Sequence, residues 1–454
     1  MRIHPFRSVA RCVPLLAATL CAPLAAQGEG EEGPRLGPTV RFGIEAKAHL
    51  RRSDENRFPV PFPFPPEQLP PGQDRAFLQT VDPGTSLELS AVTLFVDATW
   101  SELLAAHLKV DMIDLYDRNP TSGDKKVDVD EAWLRFGREM PPATLPAGSG
   151  AYLKVGKFGH FERQDDRHLE SYGLVSTAFN RFEDTGVELG VDLGRHLYLK
   201  GSVTQGNPVF IRDPNALAGD NGTLEQLRNP HPRHALGSGI LILYDAEVED
   251  VDVDGDPELG IGVGLRFGDE TGERGLELLA WGYERTLADT VDLEGTVYGG
   301  DLDLLLGPGN LTPLPLAGDE KREVGGNLWL YYGGVTLFAQ YVDQELAGLP
   351  RTGWEVEAAW SIELPVRWAL AGQQLFPFVA PAARYSRLDP DFANHPLTPV
   401  PSVSWEWDKL DAGVRLGIVP GTDLTLEYAR NRFILKSGRE AENDEYLATL
   451  RWRW

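Results

Sequence analysis

Apolar and polar positions alternate one for one through much of this chain. Val40, Phe42, Ile44, Ala46, Ala48 and Leu50 are separated by Arg41, Gly43, Glu45, Lys47 and His49. A period of two places successive side chains on opposite faces of a strand, so each such segment has one greasy and one wet face. The run has the length that a tilted strand needs to cross a bilayer, about 9–11 residues. The pattern recurs in Ala106, Leu108, Val110 and Met112, in Thr185, Val187, Leu189, Val191 and Leu193, and in Trp354, Val356, Ala358, Trp360 and Ile362. It appears again in Leu410, Ala412, Val414, Leu416 and Ile418. At the end of the chain, Tyr446, Ala448, Leu450, Trp452 and Trp454 share one face, and Glu445, Leu447, Thr449, Arg451 and Arg453 share the other.

The segments between the strands come in two kinds. Gly333-Gly334 separates two alternating runs and predicts a two-residue hairpin. Pro420-Gly421-Thr422-Asp423 and Gly194-Arg195-His196 are similarly tight. Long polar connections fall at residues 117–126, 205–237, 246–259, 307–322 and 386–408. Short turns at one end and long loops at the other are what a membrane barrel requires. The fold class is therefore all-β: a transmembrane antiparallel β-barrel of about 16 strands, with 18 as the alternative. Prolines 59, 61, 63, 65 and 66 lack ladder donors, which assigns that stretch to a loop rather than a central strand. Trp329, Tyr331, Tyr332, Trp354, Trp360, Trp405, Trp407, Trp452 and Trp454 lie near strand ends and are expected at the membrane interfaces.

The N-terminus predicts export. Arg2, Arg7 and Arg11 precede an apolar run that is too short to span a membrane as a helix, and cleavage is expected after Ala26. Residues 1–26 thus read as a signal peptide, 27–39 as a loose periplasmic tail and 40–454 as the barrel. Both cysteines, Cys12 and Cys21, lie in the signal, which leaves no thiol for a disulfide or a cysteine metal site. A formal charge of −25, from 43 Lys+Arg against 68 Asp+Glu, argues against nucleic acid as a partner. No Gly-x-Ser-x-Gly elbow, P-loop or His-Glu-x-x-His is present, so no enzyme is expected and no cofactor. Outer-membrane lipid is the expected surrounding, and the cell outer membrane the expected location.

Three stretches carry a family resemblance. They are Val127-Asp128-Val129-Asp130-Glu131-Ala132-Trp133-Leu134-Arg135-Phe136, Tyr152-Leu153-Lys154-Val155-Gly156-Lys157-Phe158-Gly159-His160-Phe161-Glu162, and Phe179-Asn180-Arg181-Phe182-Glu183-Asp184-Thr185-Gly186-Val187. Together they resemble the phosphate-selective porin O and P family of outer-membrane barrels, from about residue 87 to 208. The terminal strand likewise resembles that of bacterial outer-membrane barrels. The resemblance implies a 16-stranded channel, assembled as a homotrimer, that passes small anions such as phosphate through a basic constriction.

A pore needs a wet lumen whose fixed charges offset the cost of stripping water from an ion. Alternation names Arg41, Lys47, His49, Lys109, Arg135, Lys154, Lys200 and Arg415 as candidate lumen cations, either forming a positive patch or paired with neighbouring acids. Residues 205–237 could fold inward as a constriction bearing Arg212, Arg228 and Arg233, or stand in water outside. Asp250, Asp252, Asp254 and Asp256 form a weak calcium candidate in an acidic run that lacks the full calcium-loop pattern. The expected function is a passive, water-filled channel for small hydrophilic solutes. The alternative is a structural or ligand-binding barrel with a plugged lumen.

Overall fold

A computed structural model describes residues 38–454, apart from 55–56, 60–76, 80–83, 102, 115–126, 165–166, 180–182, 207–255, 287–317, 367, 371, 393–404, 435–437 and 439. The expected signal peptide and most of the expected tail lie outside the described residues.

The chain forms a closed antiparallel barrel. Its strands in chain order are β1 (Thr39–Ser53), β2 (Gly84–Ser101), β3 (Leu104–Asp114), β4 (Asp128–Gly137), β5 (Gly150–Phe158), β6 (Asp184–Leu193), β7 (Leu197–Thr204) and β8 (Glu258–Gly268). They continue with β9 (Arg274–Thr286), β10 (Glu320–Tyr332), β11 (Val335–Leu346), β12 (Leu349–Trp360), β13 (Phe378–Pro390), β14 (Glu406–Val419), β15 (Thr422–Ile434) and β16 (Glu440–Arg453). Each strand pairs with its sequence neighbours. β1 pairs both with β2 and with β16, which closes the ring of 16 strands. At the seam Glu45 lies opposite Arg453 and His49 opposite Thr449. Beyond the strand, Trp454 exchanges two backbone hydrogen bonds of 2.9 Å with Ile44. Arg57–Pro59 forms a separate two-stranded pairing with Phe77–Gln79, so Pro59 is outside the barrel ladder; the other prolines of that stretch lie outside the described residues.

The connections after β2, β6, β8, β10 and β14 are short, whereas residues 138–149 after β4 and 361–377 after β12 make longer ones at the same end. The strands Glu320–Tyr332 and Val335–Leu346 meet at Gly333-Gly334, where Gly333 has φ 60°. Gly421, at φ 79°, turns β14 into β15. A side chain is strained at such angles, which is why glycine holds both positions. Short connections also occur at the long-loop end: β11 and β12 meet through Ala347 and Gly348 alone, and five residues, 435–439, separate β15 from β16. β13 and β14 also run further into the expected loop than residues 386–408 imply, reaching Pro390 and starting at Glu406.

The outward faces are apolar. Leu259, Ile261, Val263, Leu265 and Phe267 of β8 are exposed, while Glu258 and Arg266 are buried inside. Tyr446, Leu450, Trp452 and Trp454 point outward as their parity predicts. Two aromatic rows border this surface. Tyr332, Trp360, Trp452 and Trp454 lie at the short-turn end. Trp354–Tyr385 and Tyr428–Tyr446, each 5.3 Å apart, lie towards the other. From Tyr446 to Trp452 is about 20 Å along the strand at a rise of about 3.3 Å per residue. Above the upper row the outer surface becomes charged, with Arg387–Glu406, Arg430–Glu442 and Arg432–Glu440 ion pairs.

The aromatic expectation needs correction at four positions. Trp329, Tyr331 and Trp407 face inward, because Leu328, Leu330 and Tyr332 take the outward positions beside the first two, and Trp407 has the opposite parity to outward Leu410. Trp405 precedes β14 and is buried rather than interfacial. Trp329 and Trp407 join Trp281, Tyr283, Phe338 and Phe433 in an aromatic cluster on the inner wall.

Closure rests on the last strand. Deleting residues 446–454 should leave β1 and β15 with unpaired edges and abolish the heat-modifiable folded band on a denaturing gel. An unchanged yield of that band would contradict the closure.

Candidate functional site

The lumen is narrowed by the described residues of the segment 159–183, between β5 and β6, namely 159–164, 167–179 and 183, which turn into the barrel instead of standing above it. Their polar backbone is satisfied by side chains of the inner wall. The Glu162 carbonyl accepts hydrogen bonds from Asn327 at 2.5 Å and Gln340 at 3.3 Å, and the Tyr283 hydroxyl donates to the Glu162 carboxylate at 2.6 Å. The Glu357 carboxylate accepts from the His168 backbone N–H at 3.0 Å, and Glu427 accepts from those of Glu170 and Ser171 at 2.9 and 3.3 Å. Lys409 donates to the Tyr172 carbonyl at 2.7 Å. Within this segment lies a five-residue helix, α1 (Leu174–Ala178), whose own N-cap Gly173 offers no side chain. The barrel caps it instead. Glu355 accepts from the N–H groups of Val175 and Ser176 at 3.1 and 3.5 Å, and Arg351 donates to the Ala178 carbonyl at 2.7 Å. Acid at the N-terminus and base at the C-terminus match the unpaired groups of a helix.

Arg384 is the centre of this anchoring. It is almost fully buried, donates to Asp411 at 2.9 Å and to the Ser171 carbonyl at 2.8 Å, and pairs with Glu357 at 3.2 Å. Inward glycines make the room. A Cβ at Gly353 would lie 2.6 Å from Phe179, one at Gly413 2.9 Å from Leu169, and one at Gly262 2.9 Å from Phe161. Glycine within a strand marks such a close approach.

The predicted lumen cations are on the inner face, and most are engaged. Lys47 pairs with Glu170 at 2.9 Å and Glu45 at 3.4 Å. Lys109 pairs with Asp130. Arg135, Lys154 and Lys200 converge on Glu139 at 3.5, 3.0 and 3.5 Å, and Lys154 also reaches Glu188 at 3.6 Å. Arg415 pairs with Glu170 at 3.0 Å. His49 is buried on the same face. Arg41 is exposed at the start of β1. Among the described residues, Arg41, Arg138 and Arg167 make no ion pair, although Arg167 stacks on Tyr172 at 3.8 Å. Arg138 opens into a cavity of about 480 Å³ beneath the inserted segment, together with Arg163, His168, Trp329, Tyr331 and Phe338.

Glu170 faces three cations: Lys47, Arg415 and Arg451. Burial alone would raise its pKa, but these charges hold it well below the ordinary 4.5. Its stabilising effect is present above that ordinary value and is lost only as pH falls through the depressed one.

Arg212, Arg228 and Arg233 lie outside the described residues, as do Asp250, Asp252 and Asp254; Asp256 is exposed just before β8. The constriction within the described residues comes from 159–183, a segment that the alternation pattern does not assign to the lumen.

No protein-family model matches the chain, and no curated protein is similar to it in sequence. Its shape does find relatives among solved structures. The outer membrane channel DcaP of Acinetobacter baumannii aligns over 92% of this chain and 98% of its own, with a TM-score of 0.50 at 10% identity. What the two share is the fold, a closed antiparallel β-barrel. Salmonella typhi OmpF aligns over 92% of this chain and 98% of its own (TM-score 0.48, 10% identity), and an anion-selective porin from Comamonas acidovorans over 92% and 100% (TM-score 0.46, 8% identity).

Two outcomes test the anchoring. Gly353→Leu combined with Gly413→Leu should push the inserted segment off the wall and change single-channel conductance in planar bilayers, whereas unchanged conductance would refute the packing. Arg384→Met should leave Asp411 and Glu357 uncompensated and cost about 3–5 kcal/mol, measured by urea unfolding in lipid vesicles.

Proposed function

We propose that the chain is an outer-membrane porin, a passive water-filled channel for small hydrophilic solutes, with a preference for anions of the phosphate class. The observation that carries this reading is the segment 159–183 drawn across a closed barrel. It narrows the lumen while leaving unpaired guanidinium groups within it. Lys47, Lys109, Lys154 and Lys200 are all matched by carboxylates, so these pairs contribute little net field. Arg41, Arg138 and Arg167 then supply the positive excess that a permeating anion meets. Low-dielectric walls focus such a local field, so the overall charge of −25 need not set the ion preference.

The porin fold and the apolar outer band with its aromatic rows support an outer-membrane location. A homotrimer belongs to the same reading. The second reading, a plugged structural or ligand-binding barrel, draws support from the number of anchors that hold the inserted segment and from the aromatic cluster beneath it.

Single-channel recording under a potassium chloride gradient separates the two. Discrete conductance steps with an anion-preferring reversal potential are expected. Replacing Arg41, Arg138 and Arg167 with Ser should move that potential towards cation preference. Silence from protein folded and inserted in the bilayer would favour the plugged barrel, and a reversal potential insensitive to the triple substitution would reject the role of these arginines.

A further inference from the structure

Three side chains from separate parts of the chain meet where the inserted segment leaves and rejoins the wall. His160 lies just beyond β5, Asp184 begins β6 and Glu258 begins β8. All three are buried, and one potential ligand atom from each lies within 4.8 Å of the others. His160 Nε2 is 3.4 Å from Asp184 Oδ2 and 3.8 Å from Glu258 Oε1. Glu258 is fully buried. Its Oε2 is held by Lys321 at 2.7 Å, but Oε1, turned towards His160, has no hydrogen-bond partner. A buried carboxylate oxygen without a donor is costly, and a cation at this point would satisfy it.

The imidazole is already oriented. Its ring stacks on Tyr283 with centroids 4.5 Å apart, and Nδ1 faces Glu162 Oε1 at 3.7 Å. Tyr283 in turn donates to the same carboxylate at 2.6 Å. A carboxylate behind a histidine is the usual support of a metal-bound imidazole. We propose that His160, Asp184 and Glu258 form a binding site for a first-row divalent cation of the zinc or manganese class.

The chemistry of the donors selects that class. One imidazole and two carboxylates suit borderline cations, whereas calcium and magnesium prefer oxygen alone. Zinc bonds of about 2.0–2.2 Å in a tetrahedral arrangement separate ligand atoms by about 3.3–3.5 Å. The two distances from the imidazole, 3.4 Å to Asp184 and 3.8 Å to Glu258, need a contraction of only a few tenths of an ångström, and the two carboxylate oxygens, within 4.8 Å of each other, would draw together around the ion. Lys321, with Arg285 at 3.8 Å, opposes a cation, but both lie against Glu258. The bound ion would join the two roots of the inserted segment to β8 and so fix the constriction from outside the ion path.

The test uses the purified full-length protein, stripped with chelator and titrated with zinc chloride or manganese chloride alone. One equivalent per folded chain is expected, with binding weakened roughly tenfold or more in His160→Gln and in Glu258→Gln. Calcium and magnesium at the same concentration should not compete. X-ray absorption at the zinc edge of the wild-type protein should show one nitrogen ring and carboxylate oxygens, which keeps the proposal testable if the variants fail to fold. Absence of a bound equivalent, unchanged binding in both variants, or a zinc environment without imidazole would overturn it.

Discussion

A bilayer interior offers the backbone no hydrogen-bond partners, and the rest of this structure depends on that constraint. A strand with a free edge inside lipid would leave a row of N–H and C=O groups unpaired. Joining β1 to β16 removes both edges, and the final residue continues the ladder through Trp454 and Ile44. Once the ring is closed, parity decides everything else: each residue faces either lipid or lumen. That is why the final strand carries Tyr446, Leu450 and Trp452 on one face and Glu445, Thr449 and Arg451 on the other.

Closure creates the opposite problem inside. Charged groups that face the lumen become buried when residues 159–183 fold against them, and each must then find compensation. The wall answers with carboxylates that accept backbone N–H groups and cations that reach backbone carbonyls. Glu355 and Arg351 cap the two ends of α1, and Arg384 joins Ser171 to Asp411 and Glu357. The segment has few partners of its own, so the barrel specifies its path. The lumen charges therefore serve two ends, fixing the shape of the constriction and setting its field, and a substitution in one changes the other.

The strand pattern was legible because alternation is local. Val40 to Leu50, the glycine turn at Gly333-Gly334 and the terminal strand can each be read from their own residues. The constriction was not, because its contacts are remote: Ser171 meets Arg384, 213 positions away, and Glu170 meets Glu427, 257 positions away. Residues 159–183 lack a period, and no local feature says which way they turn. A signal did exist in the partners. Gly262, Gly353 and Gly413 stand on inward faces where a lumen wall has no need of glycine, and each lies against a side chain of the inserted segment. Trp329 and Trp407 were assigned to the interface by position near a strand end, whereas parity with Leu328 and Leu410 places them inside.

Parity also bears on the field inside an acidic barrel. At physiological ionic strength the field of an exposed charge decays over about 8 Å, so acids beyond that distance contribute little at the constriction. There the balance is local. Glu170 is surrounded by Lys47, Arg415 and Arg451, and Glu139 by Arg135, Lys154 and Lys200, an excess of cations in both groups. Neighbouring acids at Glu45, Asp423 and Glu188 reduce that excess. Among the described residues, Arg41, Arg138 and Arg167 add positive charge that no ion pair offsets. The net field inside the barrel is a small difference between two large, nearly cancelling sets of charges. It follows the geometry of individual pairs more closely than it follows composition.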